Sequence, residues 1–293
     1  MRTQRPKRRR KPVSNAVRFL LTLFISLIIV GGIGWLIFDN ITMRGGTVDP
    51  DYKPTNDDNR TLLLILSPDD NINEVNSFMI MKILPAQYLY HCIPLPNNTV
   101  LSTGNGTVSL NTVFSSGGVA KLSEALETTF ELGIDKYIRF NNSGFEKFYS
   151  AFGEIKYTVP TNLKIDGLGP GYQQLAAEHV RRIVTYPDYR GGESRRIVEA
   201  GKIVCNILNQ ANKKHLSDTQ DENFKILINA IGTDITEADY NESSKALKYI
   251  LNYAKNNPNH NPAELKNPLG TESDDGKFEI SSSFVDEYLR KKQ

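Results

Sequence analysis

An uncharged apolar run near the amino terminus constrains this chain more than any other feature. Residues 19–38 are twenty residues without Asp, Glu, Lys or Arg, and Trp35 lies near the end of the run. About 20 apolar residues are needed to cross a bilayer as a helix. A cleaved signal peptide is the competing interpretation, but its apolar core is about 7–15 residues long and ends in small residues. The segment Phe38-Asp39-Asn40 offers no such site. The sequence therefore predicts one uncleaved transmembrane helix over residues 19–38.

The residues before this run predict how it is oriented. Residues 1–18 hold eight Lys and Arg and no acidic residue, and basic flanks stay in the cytoplasm. We expect a basic cytoplasmic arm over 1–18 and a single-pass protein of the cell membrane whose C-terminal domain is extracellular. Without the arm, residues 39–293 keep 27 basic and 33 acidic residues. The exported part is therefore acidic, and no nucleic-acid partner is expected.

Composition divides the exported part into four regions. We predict a polar juxtamembrane linker over 39–60, an extracytoplasmic domain over 61–255, a flexible linker over 256–277 and a strand and helix extension over 278–293. Strands are predicted over 61–67, 78–84, 88–94, 136–140, 155–159 and 184–186, helices over 110–114, 119–130, 143–152, 172–183, 194–212 and 236–251, and a loop over 95–106. This alternation predicts an α/β layered domain with a central mixed β-sheet flanked by helices.

The segment Ile183–Lys202 carries the strongest charge pattern of the domain. A β-type run stops at Pro187, a turn rich in charge and glycine follows, and a helix is predicted from Ser194. Three arginines surround that helix start: Arg190, Arg195 and Arg196. Unpaired N–H groups at a helix N-terminus, joined by guanidinium groups, suit a phosphate or pyrophosphate. The alternative is a solvated basic turn without a ligand.

The two cysteines leave two interpretations open. Cys92 and Cys205 each lie in an apolar run. Outside the cell they make a weak case for one disulfide, and two buried thiols fit the apolar surroundings at least as well.

Five segments within residues 61–202 follow a known pattern in the right order. They are TLLLILSPD, NSFMIMKILP, CIPLPNNTV, the long run from LNTVF to KYTVP, and LAAEHVRRIVTYPDYRGGESRRI. Together they resemble the LytR–CpsA–Psr family of bacterial envelope proteins. In the family, the first of these segments is a strand followed by an acidic loop, and the second and third read R-S-D-T and I-P-R-D-T. The fourth runs from L-N-x-A-Y-x-x-G-G to V-x-x-x-V-P, and the fifth reads L-x-G-x-x-A-L-x-x-x-R-x-R…R. The fourth segment is long and ordered, which makes the resemblance specific.

The resemblance implies a phosphotransferase that moves a polyprenyl-pyrophosphate-linked glycopolymer onto peptidoglycan outside the membrane. Arginines and a magnesium ion held by aspartates would neutralise the pyrophosphate. A hydrophobic groove between sheet and helices would hold the prenyl tail. The apolar stripes on the predicted helices either line such a groove or are plain core. The implied partners are a polyprenyl-phosphate lipid or wall glycopolymer, the membrane and an active paralogue.

Carried over residue by residue, the family's site is divergent in this chain. Asp69 matches the first acidic position, a metal ligand, and Arg196 matches the arginine at the helix start. Five further positions lack the family's chemistry: Ser77 replaces the second aspartate, Leu95 the arginine of I-P-R-D, Thr185 and Pro187 the two arginines of R-x-R, and Ala200 a glutamine. Ser77 in particular weakens the expectation of bound Mg²⁺, because a hydroxyl brings no charge to the metal.

Other arginines are candidates to replace the missing charge. Arg196 and Arg190 are the catalytic candidates, and Arg181 and Arg195 join them as candidate ligands of the lipid pyrophosphate. Three hypotheses remain. The first is a lipid-binding or glycan-binding protein with a degenerate site, and the second is a working transferase with a shifted arginine set. The third is a structural or regulatory ectodomain without a lipid, since family members are also described as transcription attenuators.

Overall fold

The computed structural model describes residues 52–68, 75, 77–104, 106–161, 163–186, 189–210, 213–228 and 232–290. The predicted cytoplasmic arm, the predicted transmembrane helix, most of the juxtamembrane linker, Asp69 and Pro187 lie outside these ranges. Within the ranges, no helix combines the length and the apolar character needed to span a bilayer.

The strands of the described residues follow the predicted alternation with helices. In chain order they are β1 Arg60–Leu66, β2 Ser77–Leu84, β3 Leu89–Leu95, β4 Val100–Thr103, β5 Gly106–Ser109, β6 Lys136–Phe140, β7 Ile155–Val159, β8 Gly171–Leu175, β9 Gly232–Thr233, β10 Ala263–Leu265, β11 Gly270–Glu272 and β12 Phe278–Ile280. The helices are α1 Leu110–Phe130, α2 Asn142–Phe152, α3 Ala177–Val184, α4 Gly192–Gln210, α5 Lys213–Ile228, α6 Glu237–Asn256 and the short α7 Ser282–Phe284. The predicted α/β class is confirmed.

Six of these strands form a mixed central sheet in the order β10-β3-β2-β1-β6-β9. β1 pairs antiparallel with β2 and parallel with β6, and β2 pairs antiparallel with β3. β10 pairs parallel with β3. Four strands, β1, β3, β6 and β10, therefore run in one direction and end at the same edge of the sheet. We call this edge the carboxyl pole.

The two faces of the sheet meet different helices. On one face, Leu63 and Ile65 of β1 pack in a core with Leu122 and Leu126 of α1. On the other, Leu66 of β1 packs with residues of α2, α3 and α4. We call these the packed face and the cavity face. Because both faces are covered, β1 is apolar along nearly its whole length, as a strand buried on both sides should be.

Helix boundaries follow local signals that the sequence shows. Thr236 caps α6 through a capping box with Asp239, as predicted from its position before the apolar stripe. The two helices predicted over 110–130 are α1, which breaks at Gly118, where φ is 64°. α2 ends at Gly153, a position that glycine favours because it accepts a positive φ.

The predicted loop over 95–106 is wrong in part. β4 and β5 form an antiparallel hairpin in which Val100 pairs with Ser109. Leu101 of this hairpin is fully buried in the core beneath α1. The segment is rich in Asn, Ser, Thr and Gly. In such a composition a short strand such as β4 is hard to recognise, because its partner is close by and only its Leu101 is fully buried.

The predictions for 172–186 also need correction. The start of the predicted helix is β8, which pairs antiparallel with β7, and the predicted strand over 184–186 is absent. Instead Val180, Ile183 and Val184 are buried together on α3. Their spacing of three and four residues places them on one helical face. Tertiary packing therefore overrides the β preference of isoleucine and valine.

The segment 256–277, expected to be a flexible linker, contributes two strands. β10 extends the edge of the central sheet, and β11 pairs with β12. Asn209 of α4 holds β10 in place: its Nδ2 donates to the carbonyl of Ala263, and its Oδ1 accepts from the Ala263 amide, both at 2.8 Å. Composition does not reveal a side-chain tether from a helix more than fifty residues away, so the sequence suggested flexibility.

The cysteines are two buried free thiols. Cys92 of β3 and Cys205 of α4 lie in one apolar cluster with Met79 and Ile250. A hydrogen bond with Cys205, together with burial, raises the pKa of the Cys92 thiol. Of the two interpretations left open, the structure shows the one without a disulfide.

Candidate ligand-binding site

A cavity of about 480 Å³ separates the cavity face of the sheet from the helices that cover it. Its walls are predominantly apolar side chains: Leu62, Leu64, Leu66, Met79, Met81, Ile138 and Phe140 from the sheet, and Phe145, Phe148, Phe152, Ala200, Val204, Leu208, Leu247 and Leu251 from the helices. A cavity of this size and lining suits an elongated apolar ligand.

Gly201 explains how α4 is placed over the sheet. A Cβ atom at Gly201 would lie 2.5 Å from Cδ1 of Leu265 and 3.1 Å from Cγ of Pro94. Helix α4 therefore approaches β3 and β10 more closely than a side chain at position 201 would permit. The neighbouring Ala200 faces the cavity, and its single methyl group leaves the space over the centre of the sheet open.

One stripe of α4 connects the cavity to the carboxyl pole. Ala200, Val204 and Leu208 line the cavity at intervals of four residues, so they share one side of the helix. Arg196 precedes this stripe by one turn. Ser77 and Val184, which also line the cavity, lie at the same end. Arg196 thus lies next to the end of the apolar stripe on α4, at the carboxyl pole.

The opposite end of the cavity is lined by charged residues. Arg60, Asp135, Lys136, Asp239 and Glu242 all contribute to the lining. Two ion pairs form there: Lys136 Nζ lies 2.9 Å from Asp239 Oδ2, and Arg60 Nη2 lies 3.3 Å from Glu242 Oε1. The cavity is therefore an apolar compartment with polar groups at both ends.

Arg196 is buried and is held by a carboxylate of its own helix. Only 5% of the residue is exposed. Its Nε and Nη2 donate to the two oxygens of Glu193 at 2.7 and 2.6 Å, and its Nη1 donates to the carbonyl of Val184 at 3.1 Å. Glu193 Oε1 also accepts from the backbone amide of Asn97, at 3.0 Å. Arg196 therefore ties the start of α4 to the end of α3, and Glu193, which neutralises its charge, ties it to the residues after β3.

Arg195 belongs to a different cluster on α4. Its Nη2 lies 2.8 Å from Oε1 of Glu199, which is buried and is also 2.9 Å from Lys202 Nζ. The hydroxyl of Tyr157 on β7 donates to the same carboxylate. Burial and then Glu199 raise the pKa of Tyr157 well above its usual range. This cluster joins α4 to β7, and it gives Arg195 a different partner from that of Arg196.

The structure does not gather the four candidate arginines into one cluster. Arg181 of α3 donates from Nε to Oε1 of Glu146 on α2, at 2.6 Å. Arg190 is exposed in the turn before α4. The carboxylates that neutralise Arg181, Arg195 and Arg196 are Glu146, Glu199 and Glu193.

Three of the five positions at which the resemblance implies other residues, namely Ser77, Leu95 and Thr185, lie in different environments. Ser77 is buried, pairs with Leu66 across β1 and β2, and lines the cavity. Leu95 is fully buried on the packed face. Thr185 follows the last residue of α3, where its hydroxyl donates to the carbonyl of Arg181 at 3.0 Å. Ser77, Leu95 and Thr185 bring no charge to the pole, and each completes local structure.

The described residues at the carboxyl pole do not fit Mg²⁺ by themselves. Magnesium prefers carboxylates and water in an octahedral arrangement. Among the described residues, no group of three His, Cys, Asp or Glu side chains is placed to hold a metal ion. The described oxygen donors at the pole include the hydroxyls of Ser67 and Ser77, and Glu193 is already bound by Arg196. Asp69, the predicted ligand, lies outside the described residues.

Sequence reasoning missed one cation at this pole, Arg139 of β6. Its Nε donates to the hydroxyl of Ser67, the residue after β1, at 3.2 Å. The local sequence signal for Arg139 is a charged residue at a strand position whose side chain is expected to point inward. The contact itself spans 72 residues and depends on the parallel pairing of β1 with β6.

No protein-family model and no curated protein sequence matches this chain. Solved structures do. A putative transcription regulator from Eubacterium siraeum superimposes with a TM-score of 0.69 at 22% identity, covering 80% of this chain and 91% of that one. Bacillus subtilis TagV gives 0.61 at 16% identity, with coverage of 78% and 93%. TagT bound to LI-WTA gives 0.59 at 12% identity, with coverage of 84% and 95%.

These likenesses extend over most of this chain and nearly all of each neighbour. At such identities they show the fold alone, and that fold agrees with the LytR–CpsA–Psr-like fold that the sequence resemblance implied.

Proposed function

We propose that this protein is a membrane-anchored, extracytoplasmic protein of cell-envelope biogenesis that binds a polyprenyl-phosphate-linked lipid or wall glycopolymer at a degenerate catalytic site. The observation that carries the proposal is the apolar cavity with Arg196 one helical turn beyond its wall. TagT, which shares the fold, has been solved with LI-WTA bound, a lipid-linked wall teichoic acid. A ligand of that chemistry needs an apolar compartment that ends near cations.

Apolar burial supplies the affinity in this proposal. Each methylene group removed from water contributes about 0.8 kcal/mol, and a prenyl chain offers many such groups. The cavity walls are already formed by the folded sheet and helices, so the ligand is not required to build its own site. The head group would lie at the carboxyl pole, because ligands of open α/β sheets bind at the carboxyl ends of the strands.

Binding without efficient transfer follows from the surroundings of the arginines. Transferring a phosphoryl group requires cations where charge develops, and removing one comparable donor costs about 10²–10³ in rate. Arg181, Arg195 and Arg196 are each neutralised by a glutamate, and Leu95 offers no charge. We therefore predict that the wild-type protein, supplied with magnesium or manganese, transfers little or no glycopolymer. Robust turnover that depended on Arg190 would instead support a transferase with a shifted arginine set.

The test of binding is mass spectrometry of lipids extracted from the full-length protein purified in detergent. The wild type should carry a prenyl-phosphate lipid. Ala200→Trp, which places an indole ring in the cavity, should not carry it. Lys245→Trp, which places the same indole ring at an exposed position of α6, serves as the control and should retain the lipid. Absence of any prenyl lipid from the wild type would favour the structural or regulatory ectodomain.

A further inference from the structure

Arg139 has an incomplete set of partners. Its Nε donates to Ser67 Oγ, while its Nη2 is buried and has no hydrogen-bond partner among the described residues. The guanidinium carbon lies 5.4 Å from the centre of the Phe114 ring. The residue as a whole is half-buried, so part of it stays open to a ligand.

A buried N–H group without a hydrogen-bond partner, such as Nη2 of Arg139 within the described residues, is unfavourable, because it has lost water and gained too little in return. Burial lowers the pKa of Arg139, and no described carboxylate acts in the other direction. The contact with Phe114 provides modest compensation. Arginine presents a planar set of donors that matches phosphate oxygens. Arg139 is therefore suited to bind an anionic ligand. Arg196 differs, because it already forms an ion pair with Glu193.

Strand register places Arg139 in the row of the missing family arginine. Ile65 pairs with Arg139 on one side and with Phe78 on the other, and Phe78 pairs with Leu95. Arg139 and Leu95 therefore lie in one row on the packed face, three strands apart, or about 14 Å. Phe114 contacts both Phe78 and Arg139, so the arginine side chain reaches back toward the middle of the row.

The cavity begins one residue away from this group in both strands. Leu66 and Phe140 line the cavity, and they adjoin Ser67 and Arg139 in sequence. Successive residues of a strand point to opposite faces. Ser67 and Arg139 therefore point to the packed face, and they adjoin the cavity lining at the carboxyl pole, where β1 and β6 end.

We propose that Arg139, with the hydroxyl of Ser67 as a second donor, binds the phosphate group of a prenyl-phosphate ligand whose tail occupies the cavity. Ser67 Oγ accepts a hydrogen bond from Arg139 and keeps its own proton to donate to a phosphate oxygen. Arg139 thus replaces, from a different strand, the charge that Leu95 does not provide. This inference rests on the proposed function, since the tail is what brings the phosphate to the pole.

The experiment compares three probes: farnesyl phosphate, farnesol and inorganic phosphate. Each is titrated into the full-length protein in the same detergent, for the wild type, Arg139→Met and Arg182→Met. Arg182 is the matched control because it donates to the carbonyl of Asp166 on another part of the surface. Methionine keeps much of the apolar stem of arginine and removes its charge.

The wild type should bind farnesyl phosphate about 10- to 100-fold more tightly than farnesol, the increment expected of charge-assisted hydrogen bonds. Arg139→Met should lose most of that increment and keep its affinity for farnesol, whereas Arg182→Met should change neither. Weak binding of inorganic phosphate by the wild type would agree with a lipid head group as the source. Tight binding of inorganic phosphate that Arg139→Met abolishes would keep the anion site but assign it to free phosphate.

An unchanged preference for farnesyl phosphate in Arg139→Met would overturn the inference while leaving the proposed function intact. Failure of the wild type to bind either farnesyl probe would instead reject the proposed function, and this inference with it.

Discussion

On the packed face of the sheet, Leu63 and Ile65 of β1 are fully buried against α1. On the cavity face, Leu62 and Leu64 of the same strand remain half-buried and line a cavity of about 480 Å³. The strand supplies apolar side chains of similar size to both faces. The difference therefore comes from the helices, and from how close each one lies to the sheet.

Helix α1 fills its face with leucine, whereas α4 brings small residues to the other. Leu122 and Leu126 of α1 are fully buried. On α4, Gly201 permits contact with the edge strands, and Ala200 leaves the centre of the sheet uncovered. Natural cores are close-packed, with few voids larger than a water molecule. A chain that keeps a void of this size has given up packing energy there, which is understandable where a ligand fills it.

The largest expected effect is on the free energy of unfolding, when a leucine is shortened to alanine on one face or the other. Leu126→Ala on the packed face should reduce the free energy of unfolding by about 3–5 kcal/mol, because it creates a cavity in a packed core. Leu64→Ala on the cavity face should cost only about 1 kcal/mol, because a void already adjoins that side chain. Urea unfolding of the two variants in the absence of lipid measures the difference. Equal losses would mean that the two faces are packed alike.

The next effect concerns the approach of α4 to the sheet. Gly201→Val should reduce the free energy of unfolding by about 1–3 kcal/mol, because the added side chain meets Leu265 and Pro94. It should also change the shape of the cavity and weaken lipid binding. Gly169→Val is the matched control, since a Cβ there meets nothing within 4 Å, and it should stay within about 0.5 kcal/mol of the wild type. If Gly201→Val were as stable as this control, α4 would not lie as close to β3 and β10 as the structure shows.

The smallest effect lies at the charged end of the cavity. The hydroxyl of Thr236 and the ammonium of Lys136 hold the pKa of Asp239 well below its usual range. A carboxylate with a lowered pKa stabilises the fold at pH values above its unfolded pKa of about 3.9 and loses that contribution as the pH falls. The wild type should therefore lose stability between pH 4 and pH 2 more steeply than Asp239→Asn.

Glu237→Gln provides the control for the pH experiment, since it removes a carboxylate from the same helical turn. Thermal unfolding across the acid range measures the slopes. Parallel slopes for wild type and Asp239→Asn would show that the contacts with Thr236 and Lys136 contribute nothing measurable to folding.

The sequence predicted the layers of the fold better than it predicted the site. The strand over 136–140 and the helix after Thr236 carry local signals, and both appear as expected. The sequence predicts Arg196 as a pyrophosphate ligand, and the structure pairs it with Glu193, three residues before it on the same helix. The role of Arg139 is harder to predict, because only the pairing of β1 with β6 brings it to Ser67. Local patterns thus reveal elements, and long-range register decides which side chains meet.

The most direct test of the central claim, that the cavity holds a prenyl chain, is how affinity depends on ligand length. Binding of prenyl phosphates with increasing numbers of isoprene units would be measured for the wild type and for Ala200→Trp. In the wild type, affinity should rise by up to about fourfold for each methylene equivalent buried, or about 0.8 kcal/mol, and should level off once the cavity is full. In Ala200→Trp the rise should be largely lost. A wild-type affinity that does not depend on chain length, or an equal dependence in both proteins, would contradict the account.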